Sequence, residues 1–298
     1  MAAADRNERE PFSRYLARMQ EVGFRPSSAL GQNFLLDPSL HRWLAERAAP
    51  TAADTVVEIG VGLGFLTREL AQRAGRVVGI EIDERLLSIA RDELRDQGNI
   101  EWILADALGG PGRTLLPAIA QAARAAVGNG GRFLVVANLP YAASGPLLAE
   151  LTALDPLPAC AVLLLQKELA QRTAAGPGTA DYGGLSATVQ AAFLAKVVRE
   201  VPPQVFRPRP KVASAVLQLE PRADALEPAS ARREFAAFVR QLFQQRRKVL
   251  RTTIAAAAAA IGRLPPELEP AARGARAEQF PPAVILAWWR ACRQLPPV

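Results

Sequence analysis

The chain has 298 residues and half of them are hydrophobic, which is enough for one sizeable core and a smaller second one. No apolar stretch reaches the roughly 18 residues of a membrane-spanning helix. The first ten residues lack the apolar centre of a secretory signal. We therefore expect a cytoplasmic protein that does not engage a membrane.

The rarest residue types restrict the chemistry. Cys160 and Cys292 are far apart and lack the spacing of a metal site, so buried thiols in a reducing compartment are expected. His41 is the only histidine, which excludes histidine-dependent metal sites and most Ser-His-Asp schemes. We expect no metal, and a reaction that needs little acid or base catalysis.

The net charge of +7 is concentrated near the C-terminus. From Arg222 onwards there are 13 basic and 6 acidic residues, whereas the preceding residues include 23 of each. Arg246, Arg247, Lys248 and Arg251 follow apolar residues at helical spacing, which predicts a helix with a packed side and a basic side. A solvated helix face explains any single arginine, but four cations within six residues indicate a nucleic-acid-binding surface.

The predicted elements alternate in chain order. A loop separates an amphipathic N-terminal helix from a second helix that starts near Pro38, with Asp37 as its cap. Apolar runs typical of strands then alternate with helical patterns, which indicates a parallel sheet. The predicted strands are 55–59, 77–80, 100–104, 133–137 and 160–165, and the predicted helices are 13–22, 65–74, 84–95, 115–127, 146–154 and 168–173.

The pattern changes after this alternating region. A proline-interrupted strand is predicted over 205–219, followed by helices to the end of the chain. We therefore expect an α/β fold with a catalytic domain over 1–222, including the N-terminal helix and loop. A small, basic, all-helical domain is expected over 223–298.

A glycine-rich turn after the first predicted sheet strand is the first candidate site. Gly60, Gly62 and Gly64 lie where the carboxyl ends of parallel strands meet, and glycines let a backbone approach a ligand closely. A dinucleotide-binding turn would have its third glycine at Phe65. The observed spacing is that of methyltransferases that use S-adenosylmethionine, although a tight turn alone is weak support for a ligand.

Two acidic residues and a tetrapeptide complete the predicted site. Glu81 ends the second sheet strand, where a carboxylate can accept both ribose hydroxyls, and Asp106 follows the third, where it can accept an adenine amino group. Each acid alone fits a solvated strand end, but together they favour a nucleoside pocket. The tetrapeptide Asn138 to Tyr141 directly follows the fourth strand. Its amide, its proline-held carbonyls and its aromatic ring suit a planar amine such as adenine.

The tetrapeptide predicts a mechanism of methyl transfer. The Asn138 side-chain oxygen and the Leu139 carbonyl accept hydrogen bonds from the adenine amino group, which turns the nitrogen lone pair towards the methyl group. Pro140 fixes the backbone of this arrangement. Alignment with an activated donor then supplies most of the acceleration, and no strong base is needed.

The chain resembles the ribosomal RNA adenine dimethyltransferase family, and most closely its bacterial members that modify two adjacent adenines near the end of small-subunit (16S) rRNA. The segments that carry the resemblance are spread over nearly the whole chain in the family's order. They are 30–35, 58–67, 138–141, 205–212 and 214–216, with further matches at 166–168, 182–186 and 245–248.

The resemblance implies a fold and a role for each site residue. The fold is the Rossmann-like sheet of class I S-adenosylmethionine-dependent methyltransferases. Tyr141 and Phe206 would stack on the adenine, although a phenylalanine beside prolines commonly anchors a loop to the core. The donor S-adenosylmethionine would contact Asn33, Leu35, Gly60, Gly62, Glu81, Asp106 and Asn138. The partner would be small-subunit rRNA, bound by a monomeric enzyme through Lys211, Arg246, Arg247, Lys248 and Arg251.

Three alternatives remain at this point. A large-subunit rRNA adenine methyltransferase of the antibiotic-resistance type would share the fold. A small-subunit assembly factor that has lost catalysis is disfavoured by the intact Glu81, Asp106 and Asn138. A nicotinamide-dependent dehydrogenase is disfavoured by Phe65. The family pattern is broken at Ala142-Ala143, where relatives usually have Asn-Ile, so the number of methyl groups transferred is open at this stage.

Overall fold

The computed structural model describes residues 12–25, 33–226, 228–245 and 247–297. Its strands are β1 Phe34–Leu35, β2 Thr55–Ile59, β3 Arg76–Glu81, β4 Ile100–Leu104, β5 Phe133–Asn138, β6 Cys160–Gln166, β7 Phe193–Val201, β8 Phe206–Arg207 and β9 Ser214–Pro221. Its helices are α1 Phe12–Glu21, α2 Pro38–Ala48, α3 Phe65–Ala71, α4 Glu84–Glu93, α5 Pro117–Gly128, α6 Tyr141–Leu151, α7 Lys167–Ala174, α8 Gly184–Ala192, α9 Ala229–Phe243, α10 Leu250–Ala259, α11 Pro270–Arg273 and α12 Pro282–Gln294.

Seven strands form one sheet in the order β4-β3-β2-β5-β6-β9-β7. The five strands from β4 to β6 are parallel to their neighbours, whereas β9 is antiparallel to both β6 and β7. The predicted parallel sheet is therefore confirmed for these five strands. Chain order reverses between β2 and β5, and in open α/β sheets ligands bind at such a reversal, beyond the carboxyl ends of the strands.

Apolar residues cover both faces of this sheet, as buried parallel strands require. One face packs against α5, α6, α7 and α8, and the other packs against α2 and α3. A short antiparallel ribbon of β1 and β8 lies outside the sheet and pairs Leu35 with Phe206. The ribbon brings the segment around Asn33 to the same edge as the glycine-rich turn.

Helix α1 covers the glycine-rich turn from one side. Tyr15 and Met19 pack in one buried cluster with Leu63 from the turn and Leu86 from α4. Ion pairs between the two helices support this packing: Arg14 with Glu93 at 3.0 Å and Arg18 with Asp92 at 2.8 Å. Because three of these four side chains are at least one-third exposed, we assign most of the stabilisation to the apolar contacts.

Helices α9 to α12 enclose a second core around buried aromatic residues such as Phe238 and Trp289. Tyr182 and Ala187, which precede the expected boundary at residue 222, belong to the same core. Arg232 on α9 is buried, and its guanidinium donates hydrogen bonds to carbonyls of residues 152, 154 and 226. Two of these carbonyls belong to the chain that follows α6, so this arginine ties the helical region to the sheet region.

Four local expectations need correction. Helix α6 begins at Tyr141 and contains Pro146, whereas a start at the proline was expected. Helix α8 and strand β7 were not predicted, because small residues and an edge-strand alternation give weak signals. Helix α9 ends at Phe243, so Arg247 and Lys248 lie in the turn before α10 and not on a helix face.

Within the described ranges, no helix combines the length and apolarity needed to cross a membrane.

Candidate active site

The carboxyl ends of β2 to β5 open into a cavity of about 400 Å³. Every expected donor-binding residue and the whole tetrapeptide line it. These residues are Asn33, Leu35, Gly60, Gly62, Glu81, Asp106, Asn138, Leu139, Pro140 and Tyr141. The structure thus brings together residues from five separated segments of the sequence.

The glycine-rich turn has a backbone that few other residues could adopt. Gly60, Gly62 and Gly64 have φ angles of 81°, 58° and 79°, in the left-handed region that favours glycine. A Cβ at Gly60 would lie 3.7 Å from the main-chain oxygen of Asn138 and from Cδ of Pro140. Because 3.7 Å is an ordinary van der Waals distance, the left-handed backbone, and not a lack of space, requires glycine at this position.

Glu81 is fixed by three main-chain amides. Its Oε2 accepts a hydrogen bond from Gly62 N at 2.8 Å, and its Oε1 accepts from the amides of Ile82 and Asp83 at 2.9 and 3.0 Å. Burial raises its pKa above the ordinary value. Each oxygen has lone pairs beyond these bonds, so the carboxylate is oriented and still able to accept ribose hydroxyls.

Asp106 and Ile82 border the same part of the cavity. Asp106 Oδ1 accepts the amide of Leu108 at 2.8 Å, which orients the carboxylate beyond the end of β4. Ile82 is 66% exposed, an unusual environment for a large apolar side chain beside two acids. Ile82 was not predicted as a site residue, and its side chain offers an apolar surface for one face of a purine.

Asn138 is oriented by the segment that precedes β1. Its Nδ2 donates to the main-chain oxygen of Asn33 at 3.3 Å, so the amide nitrogen is engaged and Oδ1 remains as the acceptor. The amide of Leu139 donates to Leu164 O at 2.9 Å, which holds the tetrapeptide at the end of the sheet. The side chain of Leu139 is buried, so this residue can act only through its backbone.

Tyr141 is half-buried at the start of α6 and lines the cavity. Its hydroxyl lies 2.7 Å from Oγ of Ser214, the first residue of β9. Burial raises the pKa of the phenol, so the ring is neutral at physiological pH. This contact gives a structural reason for Ser214 in the matching segment 214–216, which had no predicted role.

Phe206 is not placed as expected. Its ring has no exposed surface and packs in the core on the α2 side of the sheet, with Leu40, Leu44 and Val201. It does not line the cavity, so this placement contradicts the predicted stacking on adenine. The alternative, an anchor that holds β8 to the core, describes the structure.

Two buried titratable residues line the cavity without having been predicted there. Glu58 is 1% exposed, and burial raises its pKa to about 8. His41 is 6% exposed, and burial lowers its pKa to about 4, so its ring is neutral. Glu58 was expected only as part of a strand, although a carboxylate directly before a glycine-rich turn is itself a signal of a ligand site.

The residues present fit a sulfonium nucleoside amino acid. Oriented carboxylates lie at the ends of β3 and β4, an apolar side chain borders them, and Oε2 of the buried Glu58 makes no hydrogen bond within the described residues. A carboxylate in that state suits a ligand that carries an ammonium group. Within the described ranges, no cluster of three or more histidine, cysteine or acidic residues could bind a metal.

The expected RNA-binding cations are exposed where the structure describes them. Lys211 lies in the loop before β9, Arg247 and Lys248 lie between α9 and α10, and Arg251 lies in the first turn of α10. None of the four makes an ion pair with another described residue. Arg246 and the segment 30–32 lie outside the described residues.

Comparison with known proteins decides the family. Residues 23–261 match the family described as ribosomal RNA adenine dimethylase. The chain belongs to this family. It is therefore a methyltransferase that uses S-adenosylmethionine, and the class I fold implied by the sequence resemblance is confirmed.

Two relatives in sequence share a name. Ribosomal RNA small subunit methyltransferase A of Pelotomaculum thermopropionicum is 42% identical over 251 residues, covering 82% of each chain. The protein of the same name from Moorella thermoacetica is 41% identical over 241 residues, covering 80% of this chain and 81% of its own.

Two solved structures resemble the chain in fold. A dimethyladenosine transferase from Plasmodium falciparum has a TM-score of 0.68 at 24% identity, covering 87% of this chain and 96% of its own. The 23S rRNA methyltransferase ErmE has a TM-score of 0.60 at 27% identity, covering 88% of this chain and all of its own.

Proposed function

We propose that this adenine dimethylase acts on two adjacent adenines in a loop near the end of small-subunit rRNA and places two methyl groups on each exocyclic nitrogen. The observation that carries the proposal is the position of Asn138, between the two donor carboxylates and the rest of the tetrapeptide, in one cavity. The relatives at about 40% identity, which are named for the small subunit, support this choice of substrate.

The strand order orients the donor. Asp106, Glu81, Gly60 and Asn138 follow or end β4, β3, β2 and β5, which are neighbours in that order. With about 4.8 Å between strands, these four positions span about 14 Å. We assign the donor's adenine to Asp106 and Ile82, its ribose to Glu81, and its sulfonium to the space in front of Asn138.

The acceptor side is built from the tetrapeptide. When bound, the donor supplies an electrophilic methyl group on a sulfonium. Oδ1 of Asn138 and the carbonyl of Leu139 accept the two amino hydrogens of the target adenine, and Tyr141 stacks on its ring. The nitrogen lone pair then forms the new bond to carbon while the carbon–sulfur bond breaks, and the proton leaves to solvent. Alignment of the lone pair with the methyl group supplies most of the acceleration, so the scheme needs no strong base.

The remaining assignments concern organisation. The proposed domain boundary lies near residue 222, with the helical region binding rRNA through its exposed cations. We propose a monomer in the cytoplasm, where small subunits are assembled. Since Ala142 and Ala143 leave space beside Tyr141, a nitrogen that already carries one methyl group can be accommodated for a second transfer.

The substrate is tested by incubating the protein with labelled S-adenosylmethionine and unmethylated small subunits, followed by mapping of modified nucleotides. Dimethylation of two adjacent adenines near the end of the small-subunit rRNA is the expected result. Unmethylated large subunits serve as the matched substrate control. Label in large-subunit rRNA alone would favour the antibiotic-resistance type of activity and contradict the proposal.

The basic turn is expected to contribute salt-dependent affinity. Replacing Arg246, Arg247 and Lys248 by alanine should weaken binding to small subunits and reduce the slope of log affinity against log salt by roughly two to three. Filter binding over a range of salt concentrations measures both quantities. The matched control replaces three exposed arginines elsewhere, Arg91, Arg95 and Arg124. Equal slopes for the two triple variants would mean that the three basic residues form an ordinary solvated surface and do not bind rRNA.

A further inference from the structure

The ring of Tyr141 has little apolar packing to hold it in place. The residue lines the cavity at the start of α6 and belongs to none of the four apolar clusters formed by the described residues. Its ring makes no contact with the ring of another described residue, in contrast to Tyr182, whose ring meets that of Phe243. Since Phe206 faces the core, Tyr141 is left as the ring proposed to stack on the target adenine.

The backbone of Tyr141 is held firmly. Pro140, which precedes it, has a fixed φ angle. The carbonyl of Pro140 accepts hydrogen bonds from Ala143 N at 3.0 Å and from Ser144 Oγ at 2.9 Å. Only the two side-chain torsions of Tyr141, χ1 and χ2, then remain to be set. These torsions decide the plane of the ring, and stacking on a base depends on that plane.

One hydrogen bond restrains both torsions. The Tyr141 hydroxyl lies 2.7 Å from Oγ of Ser214 and makes no other hydrogen bond within the described residues. Because the hydroxyl lies at the far end of the side chain, holding its oxygen restrains χ1. The O–H bond of a phenol lies in the ring plane, since the oxygen is conjugated with the ring, so the direction of the partner also restrains χ2.

Ser214 is a fixed partner for this bond. It begins β9, where it pairs with Gln166 of β6 on one side and with Val201 of β7 on the other. The residue has no exposed surface. A strand with neighbours on both sides therefore places its hydroxyl. A buried hydroxyl needs a hydrogen-bond partner, and Tyr141 provides one.

We propose that Ser214 is a positioning residue for methyl transfer, which holds the plane of the Tyr141 ring so that the stacked adenine presents its amino group to Asn138. Ser214 acts only through the ring and does not touch the adenine. The acceptor side of the site then extends to β9, none of whose residues is among those that line the cavity. The inference rests on the stacking role of Tyr141 in the proposed function.

Single-turnover methylation at saturating concentrations of unmethylated small subunits tests the proposal. Ser214→Ala and Tyr141→Phe each remove the hydrogen bond and keep the ring, so each should lower the rate roughly tenfold. Combining them should lower the rate no further, because both remove the same bond. In Tyr141→Ala, which lacks the ring, adding Ser214→Ala should not change the rate. Calorimetric titration with S-adenosylhomocysteine should give unchanged affinity in Ser214→Ala and Tyr141→Phe.

Ser186→Ala is the matched control. Ser186 is equally buried and its hydroxyl donates to Arg172 O at 2.6 Å, but it lies on α8 and does not line the cavity. This variant should be less stable and keep its rate.

Three results would overturn the role of Ser214. They are an equal loss of rate in Ser186→Ala, multiplying losses in the double variant, and normal rates in Ser214→Ala and Tyr141→Phe beside a slow Tyr141→Ala. A normal rate in Tyr141→Ala would instead refute the stacking itself, and the inference with it, which separates this failure from that of the proposed function.

Discussion

Replacing Asn138 with alanine is expected to reduce the rate of methyl transfer by a factor of about 100 to 1,000 while donor affinity falls only modestly. The variant loses the Oδ1 acceptor for the target amino group but leaves Glu81 and Asp106, the two carboxylates assigned to the donor's adenosine, unchanged. Single-turnover methylation of small subunits measures the rate, and titration with S-adenosylhomocysteine measures the affinity.

The variant Asn138→Asp distinguishes the role of the side-chain acceptor from the role of the hydrogen bond that orients the side chain. Aspartate keeps oxygen acceptors but cannot donate to Asn33 O, which Nδ2 of Asn138 does at 3.3 Å. We expect its rate to lie between those of the unaltered protein and the alanine variant. Full activity in Asn138→Ala would refute the scheme in which a side-chain carbonyl draws the amino group out of conjugation.

Glu58→Gln is expected to change how stability depends on pH. Burial raises the pKa of Glu58 to about 8, well above its unfolded value near 4.5. At low pH the carboxyl is protonated in both states and has no effect. Between the two pKa values only the unfolded state releases the proton, so folding stability falls as pH rises, until it levels off above pH 8. Glutamine removes this dependence.

The expected size of this change in stability follows from the pH interval over which it is measured. Between pH 5.5 and 7.5, the stability of Glu58→Gln relative to the unaltered protein should rise by about 2 to 3 kcal/mol. Urea unfolding of the ligand-free proteins at both pH values gives the difference, and any constant effect of the buried amide cancels. Glu84→Gln, which changes an exposed carboxylate, is the control. If the two variants show the same difference, Glu58 is ionised in the folded protein.

Much of the site could be predicted because its position depends on how the backbone strands pair. The glycine-rich turn, Glu81, Asp106 and the tetrapeptide each lie at a strand end, and parallel pairing brings strand ends together whatever the side chains are. Helix α2 likewise begins at Pro38 with Asp37 as its cap, accepting from Ser39 N.

What escaped prediction depends on tertiary packing. Phe206 is a conspicuous aromatic residue in a matching segment, but pairing with Leu35 turns it into the core. That the chain has one histidine could be used to exclude many mechanisms. The position of His41 in the cavity could not be predicted, because it follows from the way α2 packs beside Phe65. Local pattern carries no information about which face of a buried element meets a cavity.

Arg232 gives the two regions of the chain a shared dependence. It caps the chain that follows α6, the helix that carries Tyr141 at its other end, while Tyr182 and Ala187 from the sheet region complete the core of the helical region. A protein truncated after residue 222 would lose this cap and expose an apolar surface. The sheet region is therefore not a free-standing unit to which a helical module has been added. Attempts to exchange the helical region between enzymes must also transfer the residues of this interface.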